Sequence, residues 1–144
     1  MYCWQRAAKP SGLGKTLVVE LHRAEKLKNL MWFGSMDPVC VVRLLPQRSP
    51  VAMSCVCPDG GTDPEWDEVL DNKLALPLER GQEGSVTSVC VELWNWSFTT
   101  ASLDEMIGRC EIRFTREGFK FGKRQWFNIS TGGRVRCTLY CDEF

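Results

Sequence analysis

The feature that most restricts this chain is a period-two alternation of apolar and polar residues, repeated in short runs between turn formers. Leu17, Val19 and Leu21 alternate with Val18, Glu20 and His22. Val39–Leu45 follows Asp37-Pro38 and stops at Pro46, and Val51–Cys57 closes on Pro58-Asp59-Gly60-Gly61. A longer apolar-rich run, Trp66–Leu76, is interrupted at Asp71-Asn72. Val89–Leu93, Cys110–Phe114, the aromatic stretch Gln125–Ile129 and Val135–Cys141 complete the series. Successive strand side chains point to opposite faces, so each run presents one face for burial. No segment sustains a 3.6-residue period. Single helical turns are allowed only near Ala24–Leu30 and Thr115–Phe121. Eight short strands at fairly regular spacing predict an all-β fold, an eight-stranded antiparallel β-sandwich.

At 144 residues the chain has the length of one domain. Residues 1–14 lack the alternation and read as an N-terminal arm, leaving 15–144 as the domain. Glu79–Ser85 is a polar inter-strand loop. Lysine plus arginine and aspartate plus glutamate both number 18, giving a formal charge of +0. That balance excludes a polybasic nucleic-acid binder. The longest uncharged stretch, Leu93–Leu103, is eleven residues, too short for a membrane-spanning helix. The first residues carry no apolar signal region, and Tyr2 stands where N-myristoylation requires glycine. A cytoplasmic location follows as the expectation. Seven of the eight cysteines, from Cys40 to Cys141, lie in strand-like runs and are expected as reduced thiols.

Catalytic constellations fail one by one. Gly12-Leu13-Gly14-Lys15-Thr16 lacks the upstream glycine of a phosphate-binding loop and precedes a strand instead of following one. The single histidine, His22, has no nucleophile or acid placed beside it by any motif, and Ser85, Ser88 and Ser97 have no histidine partner. Cys55, Cys57, Cys137 and Cys141 could in chemical terms hold zinc, but their spacing is not that of a finger. The expectation is a protein that is not an enzyme and uses no cofactor.

Three segments carry a more specific signal through their order. Leu17–Leu27 runs through a loop into Gly34-Ser35-Met36-Asp37-Pro38-Val39. Gly61-Thr62-Asp63-Pro64-Glu65-Trp66-Asp67-Glu68 follows. Then come Val91-Glu92-Leu93-Trp94-Asn95-Trp96 and Asp104-Glu105-Met106-Ile107-Gly108, with Trp126-Phe127-Asn128-Ile129 and a last strand beyond. Over residues 15–142 this resembles a C2 domain, the calcium- and lipid-binding β-sandwich, in the family's second, permuted topology. The resemblance implies a calcium site of loop aspartates at one end of the sandwich. Six to eight oxygens are needed there. Aligned on Asp37-Pro38, the first-loop acid falls near Met31, where Met31, Trp32 and Phe33 stand, and the third-loop acids fall at Trp94 and Trp96. Only Asp37, Asp104 and Glu105 remain as residual acids, so no metal is expected. The loops instead offer Met31, Trp32, Phe33, Trp94, Trp96 and Phe98, either as an apolar plug or as a surface for a membrane or a protein. Lys120, Lys123 and Arg124 form a candidate basic patch. The function implied is a calcium-independent module that binds membrane phospholipid or a protein partner and recruits or scaffolds a larger protein. The alternative is a calcium-regulated phospholipid-binding domain with a degenerate site.

Overall fold

The computed structural model describes residues 15–67 and 71–143, and the expected arm at 1–14 lies outside them. Among the described residues there are eight strands and a single 3₁₀ turn, Glu83–Ser85. The strands are β1 (Lys15–Glu25), β2 (Pro38–Leu45), β3 (Val51–Met53), β4 (Lys73–Pro77), β5 (Ser88–Ser97), β6 (Ser102–Arg113), β7 (Gln125–Asn128) and β8 (Arg134–Glu143). They form two four-stranded antiparallel sheets, ordered β4-β1-β8-β7 and β3-β2-β5-β6. The first and last strands are neighbours, paired from Lys15↔Glu143 to Glu25↔Arg134.

The alternation does what period two requires. Leu17, Val19 and Leu21 of β1 meet Cys40, Val42 and Leu44 of β2, Val89, Val91 and Leu93 of β5 and Val135, Cys137 and Leu139 of β8 in one buried core. Each such side chain withdrawn from water stabilises the fold by about 1.5–3 kcal/mol. This core sits between the sheets.

Several runs differ from their sequence reading. Among the described residues the Trp66–Leu76 run is strand only from Lys73, after Asp71, whose left-handed backbone (φ 77°) breaks the extension. Trp66 lies off the ladder, where it seals the core. It is fully buried, its backbone N–H donates to the His22 carbonyl at 2.8 Å and its Nε1–H to the Cys55 carbonyl at 3.0 Å. Regular pairing of the Val51–Cys57 run ends at Met53. The chain nevertheless continues beside β2 through Ser54 N–H to Cys40 O and Cys57 N–H to Pro38 O, both 2.8 Å. Neither of the helical turns that the sequence allows forms: β1 runs on to Glu25, and 115–121 is a series of turns. Cys55 is disulfide-bonded rather than a reduced thiol. Cys40, Cys57, Cys90, Cys110, Cys137 and Cys141 are free thiols as expected.

His22 occupies the irregular position between Leu21 and Arg23 where β1 bulges against β8. Its side chain is 1% exposed. Nδ1 lies 2.6 Å from Asp67 Oδ1 and Nε2 2.8 Å from Thr138 Oγ1. Both ring nitrogens are thereby satisfied, as a buried imidazole requires. The ring ties β1 to β8 and, through Asp67, to the connection that follows β3.

Candidate functional site

Three connections meet at one end of the sandwich: 26–37 after β1, 58–63 after β3, and 98–101 between β5 and β6. Backbone bonds lock them together. Leu27 N–H donates to Thr62 O at 3.0 Å, Gly61 N–H to Met36 O at 3.1 Å and Trp96 N–H to Asp37 O at 2.9 Å. Asp63 fastens the first pair of loops, its Oδ1 accepting the Lys26 N–H at 3.1 Å. The Thr62 hydroxyl, and after it the Lys26 N–H, holds the Asp63 carboxyl below the ordinary aspartate range.

Asp37 is at the centre of this end. One carboxylate oxygen accepts the Asp59 N–H at 2.8 Å, and its own N–H donates to Asn95 Oδ1 at 2.8 Å. Asn95 is buried, its Nδ2 faces Met31 Sδ at 3.7 Å, and it stands directly opposite Glu105 in the β5–β6 ladder. The side chain that reaches Asp37 from the third loop is therefore the neutral amide of Asn95, a residue the sequence reading passed over. The signal was available: alternation along β5 sends Asn95 to the opposite side from its neighbours Trp94 and Trp96. Asp104 and Glu105 are exposed. Among the described residues, no three histidine, cysteine, aspartate or glutamate side chains converge as a metal-holding group.

The six aromatic and methionine candidates divide into two groups. Trp96, 2% exposed, packs with Val39 and Val56, and Trp94, Met53 and Leu103 lie against them in a small apolar cluster separate from the main core. Trp94 Nε1–H donates to Glu92 Oε1 at 3.1 Å, and the same carboxylate accepts from Arg43 Nε at 3.2 Å. These two tryptophans are thus framework for the tip. Trp32 and Phe33 stand out from the tip at 95% and 86% exposure, with Met31 and Phe98 also exposed. Gly34, at φ +73°, supplies the left-handed backbone that turns the chain back after them.

The basic candidates are not brought to this end. Lys120, Lys123 and Arg124 are exposed on the connection between β6 and β7, which leaves β6 at Arg113, the end remote from the 98–101 turn. That connection is folded on Phe114, Phe119 and Phe121, with ring centroids 5.0–6.2 Å apart. Beside it is an open apolar cavity of about 200 Å³, lined by Leu17, Leu78, Val86, Phe114 and Phe121 among others.

The profile of the C2 domain family matches residues 15–129. The chain belongs to the C2 domain family. Its sandwich is similar to a C2 domain of plant extended synaptotagmin 1, at 16% identity and a TM-score of 0.62, covering 91% of this chain and 95% of that one. It is also similar to part of human GIVD cytosolic phospholipase A2, at 13% identity and a TM-score of 0.61, covering 91% of this chain and 17% of that one. A third likeness is to CC2D1B, at 16% identity and a TM-score of 0.59, covering 88% of this chain and 54% of that one. No curated protein sequence matches. At these identities the likenesses establish the C2 sandwich, and the chemistry at its tip must be read from this C2 domain's own residues. No helix in the described residues is long and apolar enough to cross a membrane.

Proposed function

We propose that this C2 domain is a non-catalytic, cytoplasmic docking module that places Trp32 and Phe33 into the interface of a phospholipid membrane without calcium. In this role it recruits or scaffolds a larger protein at the membrane. The observation that supports the reading is the pairing of two opposite features at one tip. Two large aromatic side chains project almost wholly into solvent, while Asp37 is met by the amide of Asn95 and the thioether of Met31 nearby. The Asn95 amide brings no negative charge and its oxygen already accepts the Asp37 N–H, and a thioether is a poor ligand for a hard cation that takes oxygen. Tryptophan favours the headgroup zone, where its apolar body and polar N–H are both served. The first tip loop follows β1 and a further strand, β8, follows Trp126-Phe127, an order that supports the permuted C2 topology.

Burying two such side chains contributes about 3–6 kcal/mol. Taken alone, that corresponds to a dissociation constant between several millimolar and tens of micromolar. Docking by the tip is therefore weak and reversible.

The test is sedimentation with liposomes in chelator and in calcium. Equal pelleting in both, lost on joint Trp32→Ala and Phe33→Ala substitution, is the expected result. Pelleting that requires calcium and disappears with Asp37→Ala would replace this reading with the calcium-regulated one. Absence of pelleting under both conditions, with a protein partner lost by the same double substitution, would make the tip a protein-binding surface.

A further inference from the structure

The two ends of the sandwich complement one another. At the tip, Trp32 and Phe33 project at 95% and 86% exposure from a loop that turns back at Gly34. At the other end lies the open apolar cavity of about 200 Å³, lined by Leu17, Leu78, Val86, Phe114, Phe121 and Cys141 among others. We infer that the tip of one copy of this chain docks in the cavity of a second copy, head to tail, with Trp32 as the anchor.

Size and polarity fit. An apolar space of about 150 Å³ is enough for a benzene ring, and this one, at about 200 Å³, takes one aromatic side chain. Leu17 and Leu78 are buried beneath it, whereas Phe121 on its wall is 48% exposed and meets Phe119 edge-on at 5.0 Å. Apolar area is thus left in water on both the tip and the cavity wall, and docking removes both at once. Aromatic rings in edge or offset contact gain beyond the area they bury, and tryptophan is among the residues enriched as interface anchors.

Charge selects a second copy as the occupant. The chain has a formal charge of +0, yet that charge is divided between its ends. The tip holds Asp37, Asp59, Asp63, Asp104 and Glu105 against Lys26 and Lys28. One level below, Arg23, Arg134 and Arg136 stand against Glu25 and Glu65, so the tip end stays acidic. The connection 114–124, which walls the cavity with Phe114 and Phe121, carries Arg116, Lys120, Lys123 and Arg124 against Glu117. The other loops at that end, 46–50 and 78–87, hold Arg48 and Arg80 against Glu79 and Glu83, and the strand ends hold Lys15 and Arg113 against Glu111, Asp142 and Glu143. An acidic tip therefore meets a basic wall, while two tips brought together would repel.

Tip and cavity lie at opposite ends of the strands, so a copy that engages its tip keeps its cavity open. Such a contact is not self-complementary and adds copies in a row instead of closing a symmetric pair. One loop entering one cavity makes a small interface, and the association is accordingly weak and reversible. A tip held by a neighbour is also withdrawn from any other surface. The contact stands apart from the membrane reading above, since no lipid takes part in it.

The experiment is sedimentation velocity on the full chain in chelator without lipid, from about 10 μM to about 1 mM because so small an interface is transient. The sedimentation coefficient of the native protein should rise with concentration, and the rise should shrink as salt is added. Trp32→Ala should weaken the association about thirtyfold, the loss typical of a buried aromatic anchor. Lys120→Glu with Lys123→Glu should weaken it as well. Val86→Trp, which fills the cavity from within, should abolish it, and Cys141→Trp serves the same end should thermal melting show the first variant unfolded. The decisive arm is a mixture. Trp32→Ala keeps an intact cavity and Val86→Trp an intact tip, so two proteins that each stay monomeric should together form a one-to-one dimer that grows no further. A sedimentation coefficient that stays constant over the whole range would overturn the contact. So would a mixture that remains monomeric. Native-like association of both cavity-filled variants, with none in Trp32→Ala, would replace it with a tip-to-tip contact. Vesicle pelleting is a separate readout, and its failure would leave this contact standing.

Discussion

Asn95 holds Asp37 in place: its Oδ1 accepts the Asp37 N–H at 2.8 Å while the Asp37 carboxylate accepts the Asp59 N–H at the same distance. Through this pair β5 steadies the start of β2 and, beyond it, the 58–63 loop. Asn95→Ala removes a buried acceptor and leaves a backbone donor unmet, at a cost of about 1–3 kcal/mol. For a domain of this size a melting-temperature fall of about 3–10 °C follows. Asn95→Asp keeps the acceptor but sets a third carboxylate among Asp37 and Glu105. Calcium should raise the melting temperature of that variant and leave the native protein's unchanged.

Trp32 and Phe33 contribute to docking and not to folding. Their side chains are almost fully solvated, so Trp32→Ala and Phe33→Ala should each move stability by no more than about 0.5 kcal/mol. Trp96→Ala, close in sequence to the exposed 98–101 turn yet buried, should cost about 3–5 kcal/mol. Denaturant midpoints of the three variants measure the contrast.

The free thiols should differ sharply in reactivity. Burial pushes the Cys40 and Cys137 thiols far above their ordinary range and that of Cys110 up to about 12. Since only the thiolate is nucleophilic, iodoacetamide at neutral pH should leave these three unlabelled in the folded state. All three should label readily in denaturant, as read by peptide mass mapping.

The hydrogen bond from Arg134, more than the nearby charges, holds the Glu25 carboxyl below its ordinary value of 4.5. A carboxyl depressed in the folded state contributes stability above its unfolded value, and that contribution is lost as pH falls through the folded one. The Arg134–Glu25 link should therefore persist below pH 4.5 and open only as the depressed folded value is crossed. NMR titration of the Glu25 carboxyl should show a midpoint below the ordinary one, and Arg134→Gln should move it upward.

Gly108 shows where the strand framework tolerates no side chain. A Cβ there would overlap Thr131 Oγ1 and Ile129 Cγ2, on the segment that follows β7. Thr131 Oγ1–H also donates to the Ile107 carbonyl at 2.6 Å, so it has little room to yield. Gly108→Ala should cost about 1–3 kcal/mol, measurable as a shift in the urea midpoint.

Much of the strand framework was readable because burial in a sandwich follows a strict period. Leu17, Val19 and Leu21 could only share a face, and that face had to be the core. The tip was less readable. Trp94 and Trp96 look like replacements for ligand acids when residues are counted from Asp37-Pro38. Alternation along β5 instead leaves Asn95 against Asp37 and the tryptophans in a cluster with Val39 and Val56. The alternation itself holds there, with Trp94 and Trp96 on one face and Asn95 on the other, but the chain does not mark which of the two faces turns to Asp37. The three arginines at Trp126 are a clearer case, their guanidinium carbons lying 4.0 Å (Arg134), 5.6 Å (Arg136) and 5.7 Å (Arg23) from its ring centroid. Arg23 and Arg136 are far apart along the chain, and each looks like an ordinary solvated strand residue.

The sequence by itself determined the sandwich and its number of strands, since these follow from alternation and turn residues along the chain. Tertiary structure alone decided which aromatics face water, that an amide meets Asp37, and that three arginines share one indole. The physical reason is that exposure and charge clustering are properties of neighbours in space. In an antiparallel sheet those neighbours come from strands whose register is fixed only when the whole domain closes.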